Sequence, residues 1–246
     1  MDIPKGLPAV RGFIPVSLNE WDGRIAAVLF LGGCNLHCPY CHGWRFVTKS
    51  EEQPEIPAAD IGASLESNRG WVDGAVVTGG EPTLAPGLTV LIDWLRGTFS
   101  LGVKLHTNGT NPRLVSMLLA QRALDCLAMD YKAPLTRDRY RQATGMPKLD
   151  IEPIRETFRM AGAGGIPTEF HTTLCPAVLA LDDLKQMAQD LAAMAPGGRW
   201  ILQQYEPGDV LDEKTAGTQR ENLTDIEITA DALKSIYPGI EVRGRE

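Results

Sequence analysis

Short, nearly unbroken apolar runs alternate along the chain with longer stretches whose apolar residues recur every three to four positions. The first pattern suits strands buried on both faces, and the second suits amphipathic helices. Strands are predicted at residues 25–31, 75–78, 103–107, 126–131, 168–174 and 200–205. Helices are predicted between and after them, at 58–68, 88–98, 113–121, 151–163 and 181–194. Residues 14–18 are expected to pair with the first strand as a β-ribbon, and the chain to finish with a helix at 230–237 and a short strand at 240–243. Alternating strands and helices imply βαβ units and a parallel sheet with outer helices. Six such units fall short of an eight-stranded closed barrel. The expected fold class is therefore α/β, an open partial (β/α)6 barrel.

No repeat, low-complexity tract or linker divides the sequence. It is expected to form one domain over 1–246, with an N-terminal extension at 1–24, a barrel core at 25–208 and a C-terminal helix and strand at 209–246. Parallel α/β folds place their chemistry at the C-terminal ends of the strands. The residues that follow each predicted strand are thus the candidates.

After the first strand, Gly32-Gly33 allows a sharp turn into Cys34, Cys38 and Cys41, a Cys-x3-Cys-x2-Cys spacing. Three thiolates on one loop can hold three corners of a cubane iron–sulfur cluster, and a missing fourth ligand leaves one iron open for chemistry. A Cys3His zinc site using His37 or His42 is the alternative. The Cys-x2-Cys-x2-Cys-x3-Cys-Pro run of bacterial ferredoxins is absent.

After the second strand come Gly79, Gly80 and Glu81, two glycines that allow close backbone approach and a carboxylate suited to an ammonium group. The third strand ends in His106, Thr107, Asn108 and Gly109, where Asn-Gly reads as a turn and Thr107 or His106 faces the pocket. The fourth ends in Asp130 and Lys132, two apart and so on one side of an extended strand. The fifth strand ends with the segment His171 to Pro176 and the sixth with Gln203 to Gly208, including Gln204, polar groups suited to a nucleoside. Cys126 and Cys175 read as small buried hydrophobes. Trp44 and Phe46 either shield the cysteine loop or simply pack, and 50–55 reads as a solvated loop.

Bulk composition only narrows the classes. A net charge of −7 and the lack of a basic block disfavour nucleic acid. No run approaches the roughly 20 apolar residues of a membrane span, and residues 1–12 lack a signal-peptide core. Five cysteines, an odd number with three in one loop, point to a reducing cytoplasm.

With these residues assembled, the chain resembles the radical S-adenosylmethionine (SAM) superfamily. The cysteine spacing, Tyr40 before the third cysteine and the Gly79-Gly80-Glu81 motif carry that likeness. Gly12–Ser17, Trp21–Ile25, Thr107–Gly109, Asp130–Lys132 and Gln203–Gly208 extend it toward the activating enzymes of glycyl radical enzymes. Within these, the sequence is similar to the anaerobic ribonucleoside-triphosphate reductase activating proteins and to pyruvate formate-lyase activating enzyme. The resemblance implies a [4Fe–4S] cluster on Cys34, Cys38 and Cys41. It also implies a SAM site drawing on Tyr40, Gly79, Gly80, Glu81, Thr107, Asn108, Asp130, Lys132, His171 and Gln204. No further catalytic side chain is implied, because the bound groups carry the chemistry. The implied partners are a glycyl radical enzyme as protein substrate and a flavodoxin or ferredoxin as reductant. Relatives often carry an acidic residue where His106 stands, and many carry Arg near the position of His171. Two other readings stay open. One is a radical SAM enzyme acting on a small molecule or peptide, such as a 7-carboxy-7-deazaguanine synthase-like or maturase activity. The other is a non-catalytic iron–sulfur or zinc protein. An acid-and-threonine continuation after Cys41 would favour the synthases, and His42-Gly43 does not supply it.

Overall fold

A computed structural model describes residues 2–163 and 165–244. The chain forms two compact units. The first comprises residues through Asn35, Gly43–Thr107 and Arg113–Leu127; the second comprises Leu36–His42, Asn108–Pro112 and the residues from Ala128 onward.

The first unit is built on strands β1 (Val10–Ser17), β2 (Ala26–Leu31), β3 (Gly74–Gly79) and β4 (Gly102–Thr107). β1 runs antiparallel to β2, the ribbon expected from the sequence, while β2, β3 and β4 are parallel in chain order. The helices are α1 (Trp44–Thr48), α2 (Ala58–Ser67), α3 (Leu88–Phe99) and α4 (Pro112–Ala120). β2 and β3 bury almost every side chain, as apolar runs covered on both faces must. α3 buries Leu88, Leu91, Ile92, Trp94, Leu95 and Phe99, the three-to-four spacing of one helical stripe. Arg96 of that helix pairs with Asp125, whose carboxylate also accepts from Val103 N at 2.8 Å and so ties α3 to the start of β4.

Strand β5 (Cys126–Asp130) carries the chain from the first unit into the second. The second unit holds α5 (Arg137–Thr144), α6 (Glu152–Gly162), β6 (Thr168–Leu174), α7 (Leu181–Met194), β7 (Arg199–Gln204), α8 (Glu213–Ala216), α9 (Leu223–Leu233) and β8 (Ile240–Arg243). β6, β7 and β8 are parallel and in chain order. Tyr131, Phe158, Phe170 and Trp200 form an aromatic core with ring centroids 4.6 to 6.2 Å apart. Such contacts add about 0.5–1.5 kcal/mol per pair beyond the buried area. The buried Tyr131 hydroxyl donates to Asp190 of α7 at 2.9 Å, and Trp200 Nε1 donates to Thr172 at 2.8 Å, so both polar tips are satisfied.

The alternation, the parallel pairing and the six core strands are as the sequence predicts. The last helix is not at 230–237 but spans Leu223–Leu233, and α5 and α8 were not expected. α5 reads Arg-Asp-Arg-Tyr-Arg-Gln-Ala-Thr, too polar for the apolar stripe to show, although Tyr140, Ala143 and Thr144 are buried. The expected solvated loop at 50–55 begins with a single 3₁₀ turn, Ser50–Glu52.

Candidate functional site

In the first unit, β2 leads directly into Gly32, Gly33 and Cys34. The Gly79-Gly80-Glu81 turn at the end of β3 is bonded to that segment: Gly80 N donates to Leu31 O at 2.8 Å and Glu81 N to Gly33 O at 2.7 Å. The approach is close enough that a Cβ on Gly80 would stand 2.0 Å from the Gly33 carbonyl oxygen. Only glycine fits there. From the other side, Gly33 N donates to Phe46 O at 2.7 Å, and the Phe46 ring stacks on Phe30 at 5.4 Å. Phe46 therefore packs beneath the turn into the cysteine loop. A cavity of about 460 Å3 adjoins this segment, with Cys34, Gly33, Arg11, Ser50 and Leu84 in its wall.

Glu81 is fully buried. Its Oε1 accepts from Thr83 N at 3.0 Å, Thr83 Oγ1 at 2.5 Å and Thr107 Oγ1 at 2.8 Å. A buried carboxylate needs such donors. These bonds join the end of β3 to the end of β4, so Glu81 and Thr107, predicted separately, meet in one network. Asn108, in the second unit, turns its side chain onto its own loop, accepting from Thr110 N at 3.0 Å and Thr110 Oγ1 at 2.7 Å. The expected Asn-Gly turn is present there.

In the second unit, Cys38, Tyr40, Asp130, Lys132 and Tyr140 share one electrostatic neighbourhood. Cys41 N donates to Cys38 O at 3.0 Å, which closes the turn between these two cysteines. Burial pushes the Cys38 thiol up to about 11, with the Lys132 ammonium pulling against it and Cys41 and Asp130 adding to the rise. Burial also works against the charge of Lys132, but Asp130, Cys38 and Tyr40 outweigh it and hold the ammonium well above its usual range. Asp130 is the partner in direct contact, at 3.0 Å. Two of the predicted residues thus bind each other across one side of the strand end.

Segment 36–42 is anchored at His37 and at Pro39. His37 N donates to Thr144 O of α5 at 2.9 Å, and Asp212 N, ahead of α8, donates to Pro39 O at 3.0 Å. Neither anchor was foreseen from the sequence, since both lie on elements that its periodicity does not show.

His171 Nε2 lies 2.7 Å from Glu169 Oε2, and Glu169 Oε1 lies 3.2 Å from Arg199, which also pairs with Glu241. Glu169 and His171 are buried. Glu169 could have been found in the sequence: it is an acidic residue inside the predicted strand 168–174, two residues before His171 and so on the same face. Gln204 donates from Nε2 to Glu221 O at 3.0 Å and lines a cavity of about 460 Å3 with Arg220, Asn222 and Thr224. The His42 ring faces Tyr205 at 6.0 Å.

Among the described residues, which include all five cysteines, no disulfide forms. No three His, Cys, Asp or Glu side chains among them stand close enough together for a single metal ion. The assignment of Cys34, Cys38 and Cys41 to one cluster therefore rests on their spacing and on the affinity of three soft thiol donors for iron. The surroundings fit such a group: the Gly80 cradle sits against the residue before Cys34, and Lys132 puts a positive charge beside Cys38. No described helix is long and apolar enough to cross a membrane.

Comparison with known proteins agrees with this chemistry. The chain is 28% identical over 209 residues to a Methanocaldococcus jannaschii protein provisionally named a glycyl-radical enzyme activating enzyme, covering 83% of each chain. It is 30% identical over 113 residues to 7-carboxy-7-deazaguanine synthase of Clostridium acetobutylicum, covering 46% of this chain and 49% of that one. A solved structure of TYW1 with a lysine-pyruvate adduct bound shares the fold, with a TM-score of 0.61 at 17% identity over 86% of this chain and 74% of that one. The sequence pattern of the radical SAM superfamily matches residues 28–191, well over half of the chain, which takes in Cys34, Cys38, Cys41 and the Gly79-Gly80-Glu81 turn. The chain is an enzyme of radical chemistry and belongs to the radical SAM superfamily.

Proposed function

We propose that this enzyme activates a glycyl radical enzyme by removing a hydrogen atom from a glycine Cα of its partner. One observation carries the reading: the likeness to the M. jannaschii activating enzyme spans 83% of both chains, whereas the likeness to the synthase stops at 46% of this one. In this reading Cys34, Cys38 and Cys41 hold a [4Fe–4S] cluster and leave one iron without a protein ligand. When bound, the cluster and SAM together supply the electron and the adenosyl group that make the hydrogen-abstracting radical.

The protein's own residues bind and orient. Gly79 and Gly80 bring main chain close to the ligand, and Glu81, held by Thr83 and Thr107, fixes that turn. Lys132 and Asp130 offer opposite charges to a zwitterionic amino acid group, exchanging their mutual contact for the ligand's. Tyr40, Asn108, His171 and Gln204 complete the SAM site. No side chain acts as a general base. The electron comes from a flavodoxin or ferredoxin.

The alternative is a small-molecule radical SAM enzyme, favoured by the 30% identity to the synthase. The test uses anaerobically reconstituted, dithionite-reduced protein with SAM, wild type against Cys38→Ala, without and with a candidate glycyl radical enzyme. The proposal expects cysteine-dependent 5′-deoxyadenosine and a glycyl radical signal on the partner. Formation of 7-carboxy-7-deazaguanine with no radical on any protein would replace it with the alternative.

A further inference from the structure

Two glycines stand in equivalent relation to the cysteine loop. Gly80 presses on the carbonyl of Gly33, the residue before Cys34. Gly145, which follows α5, presses on the carbonyl of His37, the residue before Cys38. A Cβ at Gly145 would lie 2.4 Å from His37 O and 3.2 Å from His37 C, both backbone atoms. The position is left-handed, with φ 65° and ψ 18°, and it ends the helix whose last carbonyl, Thr144 O, receives His37 N–H. The contact and the hydrogen bond fall on one peptide, so α5 cannot shift to relieve a side chain at 145 without pulling that bond. Backbone cannot rotate aside as a long side chain does, and any displacement of His37 is passed straight to Cys38.

We infer that Gly145 is a positioning residue for the cluster. Its missing side chain lets the C-terminus of α5 seat the second half of the cysteine loop, as Gly80 seats the first. Part of the inference, the use of Cys38 as a cluster ligand, rests on the function proposed above. A structural role limited to ending α5 would require only the left-handed conformation, which Asn tolerates. The positioning role forbids any Cβ, so the two roles separate by substitution.

The experiment compares Gly145→Ala, Gly145→Asn and Gly23→Ala. Gly23 also has a positive φ, 78°, but a Cβ there would meet nothing within 4 Å, so its variant carries the backbone strain alone. Apo-protein is assayed by thermal melting and by the rate at which iodoacetamide alkylates Cys38, followed by mass spectrometry. Reconstituted protein is assayed for iron and sulfide per chain and by electron paramagnetic resonance of the reduced cluster. Both variants at 145 should alkylate Cys38 several-fold faster than wild type and load less than half the iron, or show shifted g-values. Gly23→Ala should match wild type in both. Wild-type alkylation and loading in Gly145→Asn would overturn the inference in favour of helix ending. So would apo Gly145→Ala that is unfolded while Gly23→Ala is folded, since the contact would then serve the fold as a whole. Failure of wild type itself to load a four-iron cluster would instead sink the proposed function, and the apo alkylation rates would still decide the role of Gly145.

Discussion

Thr107→Val tests whether the Glu81 network is the brace between β3 and β4. The substitution keeps the side-chain shape and removes the hydroxyl that donates to Glu81 Oε1 at 2.8 Å. A hydrogen bond to a charged group contributes about 1.5–3 kcal/mol. The acceptor is fully buried and keeps its two bonds from Thr83, so no charge is left without donors. A loss near 2 kcal/mol is therefore expected, lowering the folded-to-unfolded ratio about 30-fold. For a chain of this size that corresponds to a melting point about 4–8 °C lower. Differential scanning calorimetry of cluster-free protein measures it, since the network needs no cofactor. Thr83→Ala and the double variant complete a cycle. Both hydroxyls share one oxygen, so the effects should fail to add by about 0.5 kcal/mol or more. A melting point for Thr107→Val within about 1 °C of wild type, with additive doubles, would refute the brace.

Other consequences can be checked independently. Arg139 makes two bonds to Asp183, at 2.8 and 2.5 Å, and although partial burial works to raise it, these bonds and that from Ala180 N hold the Asp183 carboxyl below its ordinary value of 3.8. A depressed folded-state value contributes stability above the unfolded value and loses it as pH falls through the folded one. Wild type should therefore lose melting temperature more steeply than Arg139→Ala on acidification below 3.8, and parallel curves would contradict this. Glu169→Ala removes a buried carboxylate that bonds His171 and Arg199, the latter also paired with Glu241, and should cost about 1–3 kcal/mol in chemical denaturation; a cost under about 0.5 kcal/mol would show that these bonds add little to stability. Gly80→Ala puts a methyl 2.0 Å from the Gly33 carbonyl oxygen and should lower iron loading on reconstitution, whereas wild-type loading would mean the turn moves freely from the loop.

Much of the candidate site was legible because strand ends announce themselves. Cys34, Glu81, Thr107 and Asp130 each follow or finish an apolar run, and in parallel α/β folds those ends gather the chemistry, whereas His171 lies in the middle of β6 rather than at its end. The two-residue offset put Asp130 and Lys132 on one side of the strand but left open whether they bind each other or a zwitterion; the structure shows their mutual contact, at 3.0 Å. Phe46 was ambiguous, since an aromatic after a loop packs or shields with equal ease until its neighbour, Phe30, is known. Glu81 was read as a carboxylate aimed at a ligand. The three donors on its Oε1 come from a nearby turn and from a strand 26 residues away, a meeting no spacing rule announces.

What the sequence determined by itself was the periodicity, and with it the α/β class, the order and nearly the bounds of the strands, and the residue types at their ends. These follow from local rules, because a strand covered on both faces reads as a largely apolar run and a turn favours glycine or polar residues. What only the tertiary structure decided was which backbone supports the cysteine loop. α5 was too polar for its stripe to show, and the importance of Gly145 appears only where its Cα meets the His37 carbonyl, 108 positions earlier in the chain. Close approach between backbones leaves no pattern of hydrophobicity or charge, since what it selects is the absence of a side chain.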